Sequence, residues 1–210
     1  MNFFEEELGA TLAETDRAER FDRLFHYTSV DGLKGILDNE SLWTTQIQYM
    51  NDSKEFSHAV DFALQIINRK KEQIDVDLMK YFEAMEQTLK SSNGARTFIF
   101  SMTENPDQLS QWRGYCGLGG YSVGFNRSFL EHLAHAQGYR LEKCLYNDAK
   151  KARVIEEVID ESVTFFRSQG RVSDYSKVVH DSKFYGHFLR VGSIMKRLCC
   201  LIQREDMPVL

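Results

Sequence analysis

The sequence predicts an α+β fold in a single domain. Short runs rich in aromatic and β-branched residues alternate with helical patterns of unequal length, which favours α+β over a doubly wound parallel sheet. The chain has 210 residues, 42% apolar and 27% charged, so it can bury one core of ordinary size. Its 15 Phe and only 2 Pro exclude the composition of a disordered chain.

Charge and cysteine usage exclude several classes of protein. The 26 Lys and Arg against 31 Asp and Glu give a net charge of −5, which argues against a nucleic-acid coat or a basic membrane anchor. The first residues are acidic where a secretory signal needs positive charge, and no apolar run approaches the ~20 residues that span a bilayer. The 4 Cys contain no C-x-x-C pair. We therefore expect a cytoplasmic protein with reduced thiols and no membrane partner.

The chain divides into a short arm and one domain. Residues 1–20 are predicted to form an N-terminal helical arm, because apolar residues recur there at roughly helical spacing. Residues 21–210 are predicted to form a single domain, whose C-terminal end is expected to be truncated or altered. The domain shows no internal repeat and no Pro-rich linker.

The first half of the domain is predicted to begin with a strand and a helix. The run 24–28 is aromatic and β-branched, Ser29 is a good helix N-cap, and helical spacing continues to Asn39. A short strand follows at 42–45. Two amphipathic helices, 52–71 and 76–89, are then expected to form a hairpin.

The second half is predicted to alternate strands with helices. Residues 97–101 form the clearest buried strand, and further strands are expected at 121–125 and 139–146. Helices are predicted around 129–133 and over 148–169 and 174–195.

One motif suggests a serine hydrolase. Residues 120–124 match G-x-S-x-G, which in a hydrolase puts the serine on a strained turn between a buried strand and a helix. Here the motif lies where the strand itself is predicted, so we interpret Ser122 as a strand residue that follows a glycine turn. Paired histidines elsewhere lack a carboxylate-plus-His pattern, and we expect no metal site.

His26 and Thr28 carry the first sign of a ligand site. Period-two geometry places them on one face of a strand, just before a helix N-terminus, where they can bind a ribose or a phosphate. The alternative is a buried His26 that is satisfied by a backbone carbonyl. For Trp112, near Arg113 and Tyr115, a stacking surface and a core position both remain open.

Several short motifs in a fixed order resemble a bacterial family of uncharacterised function that is often found near phage-defence genes. The motifs are residues 24–29, Trp43, residues 49–52 with Asn51, Phe100 and Ser101, Trp112, Tyr115 and residues 120–125. That family is in turn similar, at a distance, to the ADP-ribosyltransferases. The resemblance implies an ADP-ribosyltransferase-like fold, a mixed or antiparallel split sheet with flanking helices.

The resemblance also implies a site for NAD as substrate. Glu205 is implied as the catalytic carboxylate, which would stabilise the oxocarbenium-like cation formed when nicotinamide leaves, and Gln203 would orient the acceptor. His26 would bind a ribose hydroxyl, and Tyr27 or Tyr49 would stack on nicotinamide. The complete set implied to bind NAD is His26, Tyr27, Thr28, Trp43, Tyr49, Asn51, Ser101 and Trp112.

The implied function is NAD-dependent ADP-ribosyl transfer to a macromolecule, a protein or a nucleic acid, in phage defence or as a toxin. An antitoxin or another defence protein is implied as a further partner. Asp206 and Met207 stand where the family carries a Trp-Arg pair. A non-catalytic interaction module of the same fold therefore remains open.

Overall fold

The structure, a computed structural model, describes residues 22–49, 53–71, 75–91, 97–117, 119–195 and 200–205. These residues form eight α-helices and six strands, and the strands make two antiparallel sheets. The α+β prediction is confirmed. The predicted arm at 1–20 and Asn51 lie outside the described residues.

The smaller sheet consists of β1 (Arg23–Ser29) and β4 (Gly120–Asn126). The two strands pair along their full length, from Arg23 opposite Asn126 to Ser29 opposite Gly120. Helix α1 (Val30–Asn39) begins directly after β1, where the Ser29 side chain accepts a hydrogen bond of 3.1 Å from the Gly32 amide. The predicted N-cap at Ser29 is thus confirmed.

The larger sheet has four strands in the order β2-β3-β6-β5. Its members are β2 (Thr45–Gln46), β3 (Thr97–Met102), β5 (Arg140–Glu142) and β6 (Cys200–Glu205). Each neighbouring pair is antiparallel. Strands β3 and β6 are therefore inner strands, and β3 has β2 on one side and β6 on the other.

Seven further helices surround the two sheets. They are α2 (Ser53–Lys70), α3 (Val76–Ser91), α4 (Leu109–Tyr115), α5 (Arg127–Ala136), α6 (Asp148–Ser168), α7 (Tyr175–Asp181) and α8 (Phe184–Ile194). The side chains of Asn126, Asn147 and Asp174 cap α5, α6 and α7 by accepting a backbone amide. None of the described helices combines the length and apolarity needed to span a membrane.

The described core has two parts, one on each side of β3. The larger packs α2, α3, α6 and α8 together and includes Ile99. The smaller includes Leu24, Phe100, Met102 and Leu130. Because successive strand residues point to opposite faces, β3 contributes Ile99 to one part and its even-numbered neighbours to the other.

A buried hydroxyl cluster ties three helices of the larger part together. The Tyr81 hydroxyl on α3 lies 2.6 Å from the Ser162 hydroxyl on α6 and 3.3 Å from the Ser182 hydroxyl after α7. The ring stacks on Phe166 with 4.4 Å between centroids. Burial raises the pKa of Tyr81, so the phenol stays protonated and keeps its donor.

Four elements differ from the sequence prediction. The helix predicted over 174–195 breaks into α7 and α8, because Lys183 adopts a left-handed conformation with φ 57°. The strand predicted at 42–45 is instead found at Thr45–Gln46. Within the strand predicted over 139–146, Arg140–Glu142 form β5, and Leu145 forms a separate bridge with Met195. Helix α4 was not predicted at all, and it lies beside the candidate site.

Replacing Tyr81 with Phe should destabilise the fold while leaving its architecture intact. The change removes a hydroxyl that bonds to Ser162, which is buried, and to Ser182, which is half-buried. We therefore expect the free energy of unfolding to fall by about 1–2 kcal/mol. Urea denaturation followed by circular dichroism measures it. Tyr175→Phe, which removes a hydroxyl bonded to Asp77 at the surface, should cost less. An equal loss in both variants would contradict the prediction.

Candidate functional site

Among the described residues, one backbone pair joins the two sheets. Phe25 on β1 and Thr103 just after β3 exchange two hydrogen bonds, of 2.8 and 2.9 Å. In a continuing antiparallel ladder, the next hydrogen-bonded pair would be Tyr27 and Ser101. Instead, the Ser101 carbonyl lies 3.0 Å from Nδ1 of the His26 side chain. The strands separate at this point, and the imidazole occupies the gap.

The environment of His26 fixes its protonation state and its tautomer. A carbonyl oxygen only accepts, so Nδ1 carries the proton and donates it to Ser101, which leaves Nε2 as an acceptor. The ring also packs on Phe100, with 4.3 Å between centroids. Burial lowers the pKa of His26 from its ordinary value of 6.5, and the bond to Ser101 opposes this only in part. His26 is therefore neutral at pH 7.

A small cavity opens where β1 and β3 separate. Its volume is about 30 Å³, more than the ~10–15 Å³ that a cavity needs to hold one water molecule. Residues from β1, from the end of β3 and from α4 form its wall. They are Phe25, His26, Tyr27, Ser101, Met102, Thr103, Gln111 and Tyr115. We call this site the β1–β3 cleft.

The Ser101 hydroxyl is the unusual polar group of the β1–β3 cleft. Its oxygen is buried and has no hydrogen-bond partner among the described residues. Leaving such a group unpaired costs about 1–3 kcal/mol, and native proteins seldom tolerate it without a reason. The hydroxyl is thus buried without a described partner, and a ligand or a water molecule would reach it only if the side chains around it move.

Helix α4 forms the outer wall of the cleft. Gln111 and Tyr115 stand four residues apart and so share one helix face. Behind them, the Trp112 ring meets Tyr27 edge-on at 4.8 Å, and its Nε1 donates to Asp107 at 2.7 Å. Trp112 thus supports the wall rather than lining the cavity.

Three of the residues implied to bind NAD come together here. His26, Tyr27 and Ser101 all line the β1–β3 cleft, although 75 positions separate His26 from Ser101. Thr28 lies elsewhere, because its Oγ1 faces the start of α1, where a Cβ on Gly32 would meet it at 2.0 Å.

Trp43 and Tyr49 are not part of the cleft. They are 76% and 74% exposed, and in the sequence they stand on either side of β2. Trp43 donates to the nearby Ser41 hydroxyl at 3.2 Å. Trp43 and Tyr49 are therefore exposed surface aromatics and are not part of the cavity wall.

The residues implied in catalysis are described only by their backbone. Glu205 lies opposite Thr97, and Gln203 lies opposite Ile99 on β3. Ser101 lies opposite Leu201, so four residues of strand, about 13 Å at ~3.3 Å per residue, separate Glu205 from the His26 end of the cleft.

The hydrolase motif is a strand, as the sequence interpretation expects. Ser122 lies in the middle of β4, opposite Tyr27, and its hydroxyl is buried without a partner among the described residues. A nucleophile elbow needs an exposed hydroxyl on a turn. Ser122 has neither property.

The sequence analysis missed Gln111 as a cleft residue and the bridge formed by Phe25 and Thr103, and it considered Tyr115 only beside Trp112, as part of a stacking surface or of the core. The four-residue spacing of Gln111 and Tyr115 is a helical signal, but Gly114 between them weakens it. Among the described residues, no group of three or more His, Cys, Asp or Glu side chains is arranged to hold a metal ion.

Comparison with known proteins gives one match. A family model described as a protein of unknown function (DUF2971) matches residues 111–184, which run from Gln111 in the cleft wall to the start of α8. The match agrees with similarity to an uncharacterised family, and that description names neither defence nor ADP-ribosyl transfer. Neither a curated protein nor a solved structure matches the chain.

Replacing His26 with Asn should make stability less sensitive to acid. Asn retains a donor for the Ser101 carbonyl but does not titrate. Because burial lowers the pKa of His26 below 6.5, the unfolded chain binds a proton more readily than the folded one. The stability that results is present above the unfolded pKa and is lost as the pH falls through the folded pKa.

The free energy of unfolding should therefore fall more steeply for the wild-type protein than for His26→Asn between about pH 7 and pH 5. Urea denaturation at a series of pH values measures both slopes. His132→Asn, at an exposed position on α5, controls for the loss of an imidazole as such. Equal slopes for wild type and His26→Asn would contradict the assignment of a neutral, buried His26.

Proposed function

We propose that this protein binds NAD at the β1–β3 cleft and transfers ADP-ribose to a macromolecular acceptor, a protein or a nucleic acid. The observation that carries the proposal is the cavity that His26 and Ser101 both line, together with the buried Ser101 hydroxyl, which has no partner among the described residues. Two neutral hydrogen-bonding groups in a space of about 30 Å³ suit one hydroxyl of a ribose.

The cavity dimensions determine how a nucleotide would be held. A ribose hydroxyl donates to Nε2 of His26 and accepts from the Ser101 hydroxyl, so each buried polar group gains a partner. The sugar ring and the base are too large for the cavity, since whole ligands need ~300 Å³ or more. They lie across its mouth, against Gln111 and the partly exposed Tyr115.

The transfer chemistry itself comes from the resemblance. Departure of nicotinamide leaves an oxocarbenium-like cation, which the Glu205 carboxylate would stabilise, while Gln203 would orient the acceptor. Two features support the proposal. The sheets are antiparallel and separate beside His26, and β6, which carries Gln203 and Glu205, pairs directly with β3. The roles in phage defence or as a toxin, and an antitoxin partner, rest on the resemblance alone.

The register of β6 favours a second candidate function. About 13 Å of strand separates the position of Glu205 from the Ser101 end of the cleft, more than a glutamate side chain covers. A protein that binds a nucleotide without cleaving it, a non-catalytic interaction module of the same fold, needs no carboxylate at the ribose.

Replacing Ser101 with Ala should weaken NAD binding without weakening the fold. The hydroxyl makes no hydrogen bond to the described residues, so its loss should leave stability unchanged or raise it by up to about 1 kcal/mol. Loss of one ligand bond should raise the Kd for NAD by roughly tenfold. Calorimetric titration measures the Kd, and saturating NAD should stabilise the wild type by ~2.7 kcal/mol at 100 times Kd.

Ser122→Ala is the matched control for Ser101→Ala. It also removes a buried hydroxyl without a described partner, but from β4 outside the cavity. Its Kd for NAD should equal that of the wild type. A wild-type protein that is folded but shows no binding at millimolar NAD, or equal affinities for all three proteins, would overturn the cleft as the NAD site.

Replacing Glu205 with Gln separates the two candidate functions. An active transferase should retain NAD binding but release labelled nicotinamide about 100-fold more slowly, because the amide keeps the shape and loses the charge. Glu83→Gln, an exposed position on α3, controls for the change in net charge. Equal turnover in Glu205→Gln and wild type would remove Glu205 from the reaction. Binding without turnover in the wild type would establish the non-catalytic module.

A further inference from the structure

Tyr27 makes two hydrogen bonds that connect β1 to the segment before α4. Its hydroxyl accepts from the Gln108 amide at 2.7 Å and donates to the Asn105 carbonyl at 3.0 Å. One phenol thus satisfies a backbone donor and a backbone acceptor. The side chain is only 4% exposed, so its ring offers no open face for a nicotinamide.

The same segment is held at its other points by local bonds. The Asn105 amide donates to the Thr103 hydroxyl at 3.2 Å, and the Asp107 amide donates to the Asn105 side chain at 2.9 Å. Asp107 in turn accepts from Trp112. These bonds make residues 103–108 a structured turn. The hydrogen bonds of the Tyr27 hydroxyl then connect this turn to β1.

The position of α4 depends on the hydrogen bonds of Tyr27, because the helix has no side-chain capping bond and no buried residue of its own. Gln108 precedes the helix without a side-chain capping bond, and none of the seven residues Leu109–Tyr115 is fully buried. An isolated helix of this length is unstable in water. Its position against β1 therefore depends on the Tyr27 hydroxyl, on the edge contact with Trp112 and on the turn between them. At its other end, the buried Cys116 adds a contact, because its thiol donates to the Thr28 carbonyl at 3.7 Å.

We infer that Tyr27 is a positioning residue, which places Gln111 and Tyr115 of α4 against the ligand held by His26 and Ser101. The inference rests on the proposed NAD site, and it assigns ligand selection to α4. Gln111 is the amide side chain in the wall, and it can both donate to and accept from the part of a nucleotide that lies outside the cavity.

Tyr27→Phe tests the inference because it removes one oxygen and keeps the ring. Amide hydrogen exchange of residues 108–115, measured without ligand, should become about tenfold faster, because the Gln108 amide and the Asn105 carbonyl lose their partner. The Kd for NAD should rise by roughly tenfold.

Tyr81→Phe is the matched control for this experiment. It removes another buried tyrosine hydroxyl, in the larger core part among α3, α6 and α7. It should destabilise the protein without changing hydrogen exchange in α4 relative to the rest of the chain, and without changing the Kd for NAD. A general loss of stability would affect both variants alike and would overturn the inference.

A double-mutant cycle with Gln111→Ala distinguishes positioning from direct contact. If Tyr27 acts through α4, the rise in Kd for the double variant should be clearly smaller than the product of the two single rises. Independent effects that multiply would overturn the inference. So would an unchanged Kd, or unchanged exchange in α4, for Tyr27→Phe.

The exchange measurement keeps the two proposals separate. If the folded wild type fails to bind NAD but α4 exchanges faster only in Tyr27→Phe, the NAD site is wrong and the positioning of α4 by Tyr27 stands. If the wild type binds NAD and exchange in α4 does not respond to Tyr27→Phe, the NAD site stands and the positioning role is wrong.

Discussion

The hydrogen bond between His26 and the Ser101 carbonyl determines the form of the candidate site. Phe25 and Thr103 join the two sheets by one backbone pair, and a regular ladder would continue from there and close the gap. Because the imidazole takes the carbonyl instead, β1 can diverge from β3 without leaving that buried acceptor unpaired. The cavity and the tautomer of His26 both follow from this substitution, whereas burial of the ring keeps it neutral.

The chemistry of the β1–β3 cleft favours an uncharged group. With His26 neutral, none of the described residues that line the cavity carries a formal charge. A phosphate placed there would lose its hydration and gain no cation in return, which is costly. A hydroxyl loses less and meets one acceptor and one hydroxyl partner. If NAD binds, one of its ribose hydroxyls therefore enters the cavity, and the sugar ring and the pyrophosphate stay outside.

The sequence predicted those elements correctly whose bounds depend on residues close in the chain, such as helix caps and helical spacing. Ser29 caps α1 as expected, and α6 begins at Asp148 and ends within one residue of its predicted end. The break at Lys183 and the existence of α4 were not predicted, because both depend on distant partners: Tyr81 meets Ser182 at one and Tyr27 meets Gln108 at the other. In the same way, the position of His26 on β1 made it a candidate site residue from the sequence alone. Gln111 is a cleft residue only because α4 lies against β1, where the Tyr27 hydroxyl accepts from the Gln108 amide.

The distance between Glu205 and the β1–β3 cleft limits the part that Glu205 can take in a reaction at the cleft. About 13 Å of strand separates the backbone position of Glu205 from the Ser101 end of the cleft, a distance greater than the Debye length of ~8 Å at physiological salt. A ligand that reaches from one position to the other would have to follow β3, where Thr97, Ile99 and Phe100 are at most 5% exposed. Because both faces of β3 are packed against the core there, this register favours binding at the cleft without transfer at Glu205.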